Sequence, residues 1–561
     1  MDQMISIGAQ SFEFIRKNEC FFIDKTGLIK EWWENKDIVT LIARPRRFGK
    51  TLNLDMMNCF FSREYEGRSE LFEGLSVWED EKYRKLQGSY PVIFLSFADI
   101  KGESFEETKK GIKHALEKLY SAHKYVKDAK GMDEKDLEFF DSVSHRMPDD
   151  VAVLALKYLS DYLECYYGKK ALIFLDEYDT PLQEAYVHGY WKEMAGFIRR
   201  MFNSAFKTNP SMERSVLTGI TRVGKESIFS DFNNLTVVTV TCESYRSWFG
   251  FTQEEVSFAL KRMGMEEEEE NVKKWYDGFT FGSKRNMYNP WSITNFLKYK
   301  EYKPYWANSS SNGLVSLLIR EGSAHTKVVM EGLMKGGFFE TEMDEEIIFE
   351  QLHKKYGAIW SLLLASGYLK VTGKRFSQET GAVTYRLELT NREVFLMFRT
   401  LIHDWFSGED VPYNEFIKAL LLGDVKAMNR YMNKVALATF SYFDSAKKPS
   451  NGAEPERFYH GFVLGLMVEL AGRYQVASNR ESGFGRYDVM LCPCKIEDPA
   501  FVMEFKVHDP QEEDSMEQTA KAALKQIEEK RYDSELIARG ISKERIRHYG
   551  FAFEGKKVLI L

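Results

Sequence analysis

The chain has 561 residues, 44% of them hydrophobic, and its 77 basic and 84 acidic side chains leave a net charge of −7. This composition is typical of globular proteins and excludes collagen-like, low-complexity and disordered classes, and the length predicts three to four domains at roughly 150 residues each. Because no apolar run approaches the ~18 residues that span a bilayer, we expect no membrane partner.

Residues 1–242 alternate predicted strands with predicted helices. Apolar, β-branched runs predict strands at 37–43, 91–97, 171–175 and 215–221. Helical spacing of the apolar residues predicts helices at 51–61, 105–167 (with a break near Pro148) and 190–208. Strands that alternate with helices indicate βαβ units and a mostly parallel sheet, so the fold class is α/β.

The remainder of the chain divides into two further parts. Residues 243–445 are rich in helical patterns, one of them opened by a capping box of Thr252 and Glu255. The segments around 366–373 and 385–394 predict a β-hairpin. Residues 446–454 are the best linker candidate, and a compact α/β segment follows to residue 561. The predicted domains are therefore 1–242, 243–445 and 446–561.

A candidate anion site lies between the first predicted strand and the helix after it. There Gly49-Lys50-Thr51 ends a basic loop, where backbone N–H groups and a helix N-terminus cradle phosphates. Lys50 would reach the β- and γ-phosphates of ATP, and the Thr51 hydroxyl would bind Mg²⁺. The other predicted cofactor-binding positions of this loop are Arg44, Arg46, Arg47, Phe48 and Gly49. Arg44 replaces the first glycine of the phosphate-loop pattern, and a basic surface turn is the alternative interpretation.

Two carboxylates support the nucleotide interpretation. Asp176 and Glu177 follow a fully apolar strand, the position at which nucleotide hydrolases hold Mg²⁺ and orient the attacking water. Asp176 is the predicted metal ligand and Glu177 the predicted catalytic residue, with Asp179 a weaker candidate for the water. At the end of the next strand, Thr221 or Arg222 would sense the γ-phosphate.

A second candidate site lies near the C-terminus. Glu504 and Lys506 are two residues apart on a predicted strand and therefore project from the same face. If this strand pairs with the strand that begins at Asp488, two carboxylates and an ammonium meet. The carboxylates of Asp488 and Glu504 would hold Mg²⁺, with Mn²⁺ as an alternative, and Lys506 would orient or deprotonate a water. The alternative is a surface salt-bridge cluster on an edge strand.

The order of several segments shows a family resemblance. They are FFIDKTGLI, RPRRFGKT, FLDEYDTP, LTGITRVGKESIFSDFNNL, YDGFTFG, YNPW and YWANSSSNG. With these, the chain resembles the bacterial AAA-ATPase-like family that ends in a PD-(D/E)XK nuclease domain, in which an arginine at the position of Arg44 is usual. The resemblance implies a P-loop ATPase, a helical, winged-helix-like middle region and a restriction-endonuclease-like α/β domain.

The resemblance also implies further site residues in the C-terminal domain. Members of the nuclease superfamily often place a Gln or Lys from the helix after the third strand against the site, which points to Gln526. Lys530 lies on the same face of that predicted helix. Glu456 and His460 are weaker candidates, because a histidine on a helix is as often an ordinary hydrogen-bonded residue.

The sequence favours an ATPase coupled to a metal-dependent nuclease that acts on DNA. The alternative is a nucleotide-gated sensor or regulator whose C-terminal domain binds nucleic acid without cleaving it. The net charge hides basic segments, since residues 190–225 hold seven Lys or Arg against two acids, which leaves room for a focused contact with nucleic acid. Six cysteines are too few for a disulfide framework, so we expect a reduced, cytoplasmic protein. A homo-oligomer is left open.

Overall fold

The computed structural model describes residues 4–221, 228–229, 232–307, 315, 318–319, 324–334, 336–343, 356–378, 381–406, 414–439, 463–464, 466–467, 470, 473–482, 485–495, 497–510 and 512–561. These residues form two compact units. The first unit is Met1–Leu314 with Glu340–Val394, and the second is Val315–Phe339 with Phe395–Leu561. Arg222, Glu456, His460 and the predicted linker at 446–454 lie outside the described residues.

A five-stranded parallel sheet forms the centre of the first unit. Its strands are β1 (Val39–Ala43), β2 (Val92–Ser96), β3 (Ala171–Asp176), β4 (Met212–Gly219) and β5 (Leu235–Val238), in the order β2-β3-β4-β1-β5. Four of these strands confirm the sequence prediction. The sequence missed β5, whose four residues are mostly half-buried at the edge of the sheet and give only a short apolar signal.

Helices surround this sheet. They are α1 (Phe12–Lys17), α2 (Gly27–Asn35), α3 (Lys50–Phe61), α4 (Glu81–Arg84), α5 (Phe105–Ala122), α6 (Glu134–Ser142), α7 (Asp149–Tyr167), α8 (Thr180–Val187) and α9 (Trp191–Phe202). The predicted break at Pro148 is confirmed, because α7 begins directly after this proline. A second break lies after α5, so the predicted long helical region is three helices.

The register of the parallel strands brings the carboxyl ends of β1, β3 and β4 to one edge. Ala43 pairs with Gly219, and Leu175 pairs with Leu217. Since loops that follow parallel strands meet at this edge, the loop after β1 and the carboxylates after β3 are placed side by side.

The chain then forms small sheets and further helices. These are β6 (Phe251–Thr252), α10 (Gln253–Arg262), α11 (Glu269–Tyr276), β7 (Asp277–Phe281), β8 (Lys284–Tyr288), α12 (Pro290–Tyr299), α13 (Ala324–Met334), β9 (Phe339–Glu342), α14 (Tyr356–Ala365), β10 (Leu369–Phe376) and β11 (Val383–Leu389). The capping box of Thr252 and Glu255 at α10 is confirmed. The predicted hairpin is confirmed as β10–β11, and α14 precedes it in the chain.

The second unit contains a mixed sheet. The chain continues with α15 (Arg392–Phe406), α16 (Asn414–Leu422), α17 (Val425–Thr439), β12 (Tyr474–Ser482), β13 (Gly485–Pro493), β14 (Ala500–Val507), α18 (Met516–Lys530), α19 (Ser534–Ala538), β15 (Ile546–Glu554) and β16 (Lys557–Ile560). The strand order is β12-β13-β14-β15-β16, with β14 and β15 parallel and the other pairs antiparallel.

Helices α16 and α17 share a hydrophobic core with this mixed sheet. Phe416 and Met432 from the helices belong to the same buried cluster as Phe501, Phe505 and Phe551 from the strands. The contacts thus join residues 414–439 to the C-terminal sheet. The bounds of the three domains drawn from the sequence stay a prediction.

Candidate functional site

The loop between β1 and α3 encloses the amino group of Lys50. The Lys50 Nζ donates to the carbonyl oxygens of Arg44 and Pro45, at 3.1 and 3.0 Å, and its side chain is buried. Burial lowers the pKa of the Lys50 ammonium, and the nearby carboxylates of Glu177 and Asp179 oppose that change. Lys50 therefore occupies the interior of the loop, where a phosphate group would meet it.

Asp176 lies beside the start of α3. The Thr51 hydroxyl donates to Asp176 Oδ2 at 2.8 Å, and the Thr218 hydroxyl donates to Oδ1 at 2.6 Å. The Asp176 side chain is fully buried at the end of β3. A carboxylate and a hydroxyl in contact are oxygen donors that suit Mg²⁺, so this pair fits the ion that the sequence predicts here.

Glu177 and Asp179 have different surroundings. Glu177 is half-buried with a left-handed backbone, φ +50°, and its Oε2 accepts from the Thr180 hydroxyl at 3.3 Å. Asp179 is buried, and its Oδ2 accepts from the backbone N–H groups of Ile220 and Thr221, both at 3.0 Å. The Thr221 hydroxyl also donates to Asp179, at 2.9 Å. Asp179 thus holds the end of β4, and Glu177 is the carboxylate that lies more open beside the loop.

The arginines of the loop point in different directions. The Arg44 guanidinium is buried and donates to the Thr239 carbonyl oxygen at 2.7 Å, so its side chain does not join the group around Lys50. Arg46 donates to Gln183 Oε1 at 3.2 Å. Arg47 is exposed, with its guanidinium 4.6 Å from the ring centre of Trp291.

Phe48 anchors the loop in an aromatic socket. Its buried ring makes edge-to-face contacts with Phe279 at 4.7 Å and Phe281 at 5.3 Å, measured between ring centres. These two phenylalanines belong to the segment YDGFTFG, which the sequence marks only as part of a family pattern. They are separated from the loop by more than 200 residues, so no local signal assigns them to this loop.

In the second unit, strand pairing brings Asp488 and Glu504 together. Val489 on β13 pairs with Met503 on β14 at the end of this antiparallel ladder, and the register continued by one residue places Asp488 opposite Glu504. Asp488 Oδ2 also accepts from the Phe505 backbone N–H at 2.8 Å, which fixes its carboxylate against β14. Glu504 is 3% exposed. Two acids thus face each other at one point of the sheet.

Lys506 and Gln526 complete this group. Lys506 is half-buried and lies two residues after Glu504, on the same face of β14. The Gln526 side chain, from α18, donates to Glu504 Oε1 and also to the Tyr532 hydroxyl at 3.2 Å. Lys530, which the sequence places on the same face of this helix, is exposed. Tyr532 was not predicted from the sequence. It is buried, and its hydroxyl accepts the hydrogen bond from Gln526.

The donor set of this group consists of carboxylate oxygens, which are hard ligands that suit Mg²⁺ or Mn²⁺. The residues therefore fit the ion that the sequence predicts.

A different cluster has less suitable geometry for a metal. The ligand atoms of His114, Glu117 and His145 lie within 4.8 Å of one another. The two imidazole rings stack at 4.7 Å with planes 7° apart, and both lie within 3.4 Å of the Glu117 carboxylate. An imidazole nitrogen binds a metal through a lone pair in its own ring plane, and two nearly parallel planes do not meet at one ion. The contact with His145 lowers the pKa of Glu117, so this cluster is a hydrogen-bonded group.

The parallel sheet with its Gly-Lys-Thr loop and acidic strand end resembles an AAA-ATPase-like domain, and the mixed sheet with its Asp, Glu and Lys resembles a PD-(D/E)XK nuclease superfamily domain.

Comparison with known proteins agrees with both assignments. Residues 6–229 match the family model for a predicted AAA-ATPase, and residues 454–561 match the model for the PD-(D/E)XK nuclease superfamily. The chain is also similar to the "Uncharacterized protein in vnfD 5'region" of Azotobacter chroococcum mcd 1. The identity is 23% over 550 residues, which cover 96% of this chain and 94% of the relative. Among the described residues, every helix is too short or too polar to cross a membrane.

Proposed function

We propose that this protein binds and hydrolyses ATP in its first unit and hydrolyses phosphodiester bonds of DNA, with a divalent metal, in its second unit. The nuclease part of this proposal rests on one observation. Asp488 and Glu504 lie opposite each other on adjacent strands, and Lys506 lies two residues after Glu504 on the same face. The two family matches support a pairing of these activities in one chain.

At the ATP site, each residue has a distinct task. The Lys50 ammonium would exchange its bonds to the Arg44 and Pro45 carbonyls for phosphate oxygens. Thr51 and Asp176 would hold Mg²⁺, which neutralises phosphate charge. Glu177, half-buried beside the loop, would accept a hydrogen bond from the attacking water and orient it.

At the nuclease site, Asp488 and Glu504 would hold the metal ion, which supplies charge neutralisation and a more acidic water. The Phe505 N–H and the Gln526 amide hold the two carboxylates in place before any ligand arrives. The Lys506 ammonium would donate to the scissile phosphate and orient the water through its own hydrogens.

The decisive experiment is a cleavage assay with plasmid DNA, single-stranded DNA and RNA, each with Mg²⁺ or Mn²⁺ and with or without ATP. We expect the wild type to cleave DNA, and Asp488→Asn to reduce the rate by roughly 100-fold or more because a metal ligand is lost. ATP hydrolysis of this variant should be unchanged. Asp498→Asn is the matched control, since Asp498 forms a surface ion pair with Arg473 in the same domain.

Three outcomes would contradict the proposal. Cleavage by Asp488→Asn at the wild-type rate would refute the assignment of the nuclease site. Binding of DNA by the wild type without cleavage under every condition would refute the nuclease activity and favour the nucleotide-gated regulator. Lys50→Ala should lose ATP hydrolysis, and retention of it would refute the ATPase half.

A further inference from the structure

The outer side of the phosphate-binding loop is held by residues far along the chain. The Arg46 carbonyl oxygen accepts from Asn289 Nδ2 at 3.3 Å and from Trp306 Nε1 at 3.0 Å. The Phe48 carbonyl oxygen accepts from the Gly250 backbone N–H at 3.3 Å. All three donors lie beyond the segment that matches the AAA-ATPase family model, which ends at residue 229.

These bonds determine which way the amide groups of the loop point. In a trans peptide the C=O and the following N–H point in opposite directions. With the Arg46 and Phe48 carbonyls drawn to the donors outside, the N–H groups of Arg47 and Gly49 are directed away from those donors, toward the side on which a phosphate would be cradled. Inward N–H groups are the feature by which such loops bind phosphate.

This loop needs external support because Arg44 stands where the phosphate-loop pattern has its first glycine. Arg47 adopts φ +63°, a left-handed conformation that is strained for a residue with a side chain. Contacts from outside offset that strain, since the Arg47 guanidinium lies over Trp291 and Phe48 packs between Phe279 and Phe281.

Gly250 permits the close approach on the other side. Its φ is +89°, and a Cβ at this position would lie 2.9 Å from the Phe48 ring. A larger residue would therefore push Phe48 out of its socket and break the bond between the Gly250 N–H and the Phe48 carbonyl.

We propose that Asn289, Trp306 and Gly250, together called the collar, are positioning residues for phosphate binding. The collar turns the loop amides inward and so replaces the conformational control that glycines give in other phosphate loops. It explains why the segments YNPW and YWANSSSNG accompany the basic loop in this chain. The inference rests on the proposed ATP site and deepens it.

The test is nucleotide binding by variants that remove only the donors of the collar. Trp306→Phe keeps an aromatic ring but removes the indole N–H. Asn289→Ser removes the amide donor while its hydroxyl can still cap α12, whose first N–H groups bond to the Asn289 side chain. The double variant combines Trp306→Phe with Asn289→Ser. Since Trp306→Phe alone tests the inference, the result does not depend on whether this double variant folds.

We expect the Kd for Mg–ATP to rise about fivefold in Trp306→Phe and roughly 10- to 30-fold in the double variant, as one or two hydrogen bonds are lost. The KM for ATP should rise in parallel while kcat stays near the wild-type value, because the loop amides bind ground state and transition state alike. Trp275→Phe is the matched control, as its indole stacks on Tyr302 away from the loop. It should leave KM and kcat unchanged.

The possible results separate this inference from the proposed function. If the wild type binds ATP and the double variant binds it equally well, the collar inference is overturned and the ATP site stands. A lower kcat and lower thermal stability with unchanged KM would also overturn it, because that pattern reports general damage to the fold. If the wild type does not bind ATP, the proposed ATP site itself fails.

Discussion

At the scale of single residues, Arg44 has a structural role although it lies in the predicted phosphate-binding loop. The sequence places it among the phosphate-binding residues, yet its guanidinium is fully buried and donates to the carbonyl oxygens of Ala43 and Thr239. The guanidinium also lies 4.9 Å from the ring centre of Phe281, and burial lowers its pKa to about 10. Arg44 therefore joins β1 to the segment after β5.

Replacing Arg44 tests whether its side chain stabilises the fold by joining β1 to the segment after β5. We expect Arg44→Met to lower the free energy of unfolding by about 2–4 kcal/mol, because buried carbonyl groups lose their donors. Arg44→Lys should recover only part of the loss, since an ammonium lacks the planar fork of a guanidinium. Urea denaturation followed by circular dichroism gives the value. Unchanged stability with a selective loss of ATP affinity would instead make Arg44 a phosphate ligand.

At the proposed nuclease site, Tyr532 makes a contact that only the structure shows. Its hydroxyl accepts from the Gln526 amide, which also donates to Glu504. We expect Tyr532→Phe to weaken metal binding by about 10-fold, within the range for residues that support metal ligands. The check is the Mn²⁺ concentration that gives half-maximal cleavage. Tyr549→Phe, a tyrosine of β15 in the hydrophobic core, is the control, and an equal shift in both variants would contradict the prediction.

At the scale of elements, the start of α15 is tied to α12 and to Trp306 by one buried acid. Glu393 accepts from the Ser292 hydroxyl at 3.0 and 2.9 Å and from the Trp306 backbone N–H at 3.2 Å. Its side chain is fully buried, and burial raises its pKa from 4.5 to about 8. The indole of Trp306 bonds to the Arg46 carbonyl. Trp306 thus connects the loop between β1 and α3 to Glu393 in the first turn of α15.

The raised pKa of Glu393 predicts that the stability of the protein depends on pH. Because the folded pKa of about 8 lies above the unfolded value of 4.5, the native state holds a proton that the unfolded chain releases between these values. The stabilisation is full below pH 4.5 and is lost progressively as the pH rises toward 8. We therefore expect the Tm of the wild type to fall between pH 6 and pH 8.5, and Glu393→Gln to fall less.

The measurement is thermal unfolding across that range. Glu301→Gln, which removes an exposed acid of the same unit, is the control and should follow the wild type. A Glu393→Gln variant with the same pH dependence as the wild type would show that Glu393 is already ionised when buried.

At the scale of the whole molecule, the two compact units have separate buried cores. Residues 416–436 and the strands β12–β16 contribute to one cluster, and residues such as Val256, Tyr276 and Ile293 of the first unit contribute to another. Separate cores of this kind can unfold in separate transitions.

We expect calorimetry to resolve two transitions, of which Mg–ATP raises only the one that belongs to the first unit. At an ATP concentration 100 times its Kd, ligand binding stabilises the native state by about 2.7 kcal/mol. Lys50→Ala should abolish the shift without moving the other transition, and Asp488→Asn should retain it. A single transition that ATP raises as a whole would show that the two units unfold cooperatively.

The sequence by itself determined the features that depend on neighbours along the chain. Four of the five parallel strands follow from short apolar runs, and the positions of Lys50, Thr51 and Asp176 follow from where those strands end. The face shared by Glu504 and Lys506 follows from strand alternation. Each of these signals extends over fewer than about ten residues, because side-chain direction repeats about every 2 residues in a strand and about every 3.6 residues in a helix.

Only the tertiary structure decided which partners each of these residues has. Trp306 and Arg46 are 260 residues apart, and Asn289 and Arg46 are 243 apart. The burial of Arg44, the structural use of Asp179 and the opposition of Asp488 and Glu504 likewise depend on how separate segments pair. The net charge of −7 describes none of this, because a sum over the chain carries no information about which charges meet. Packing between distant segments sets those contacts, and with them the chemistry of both sites.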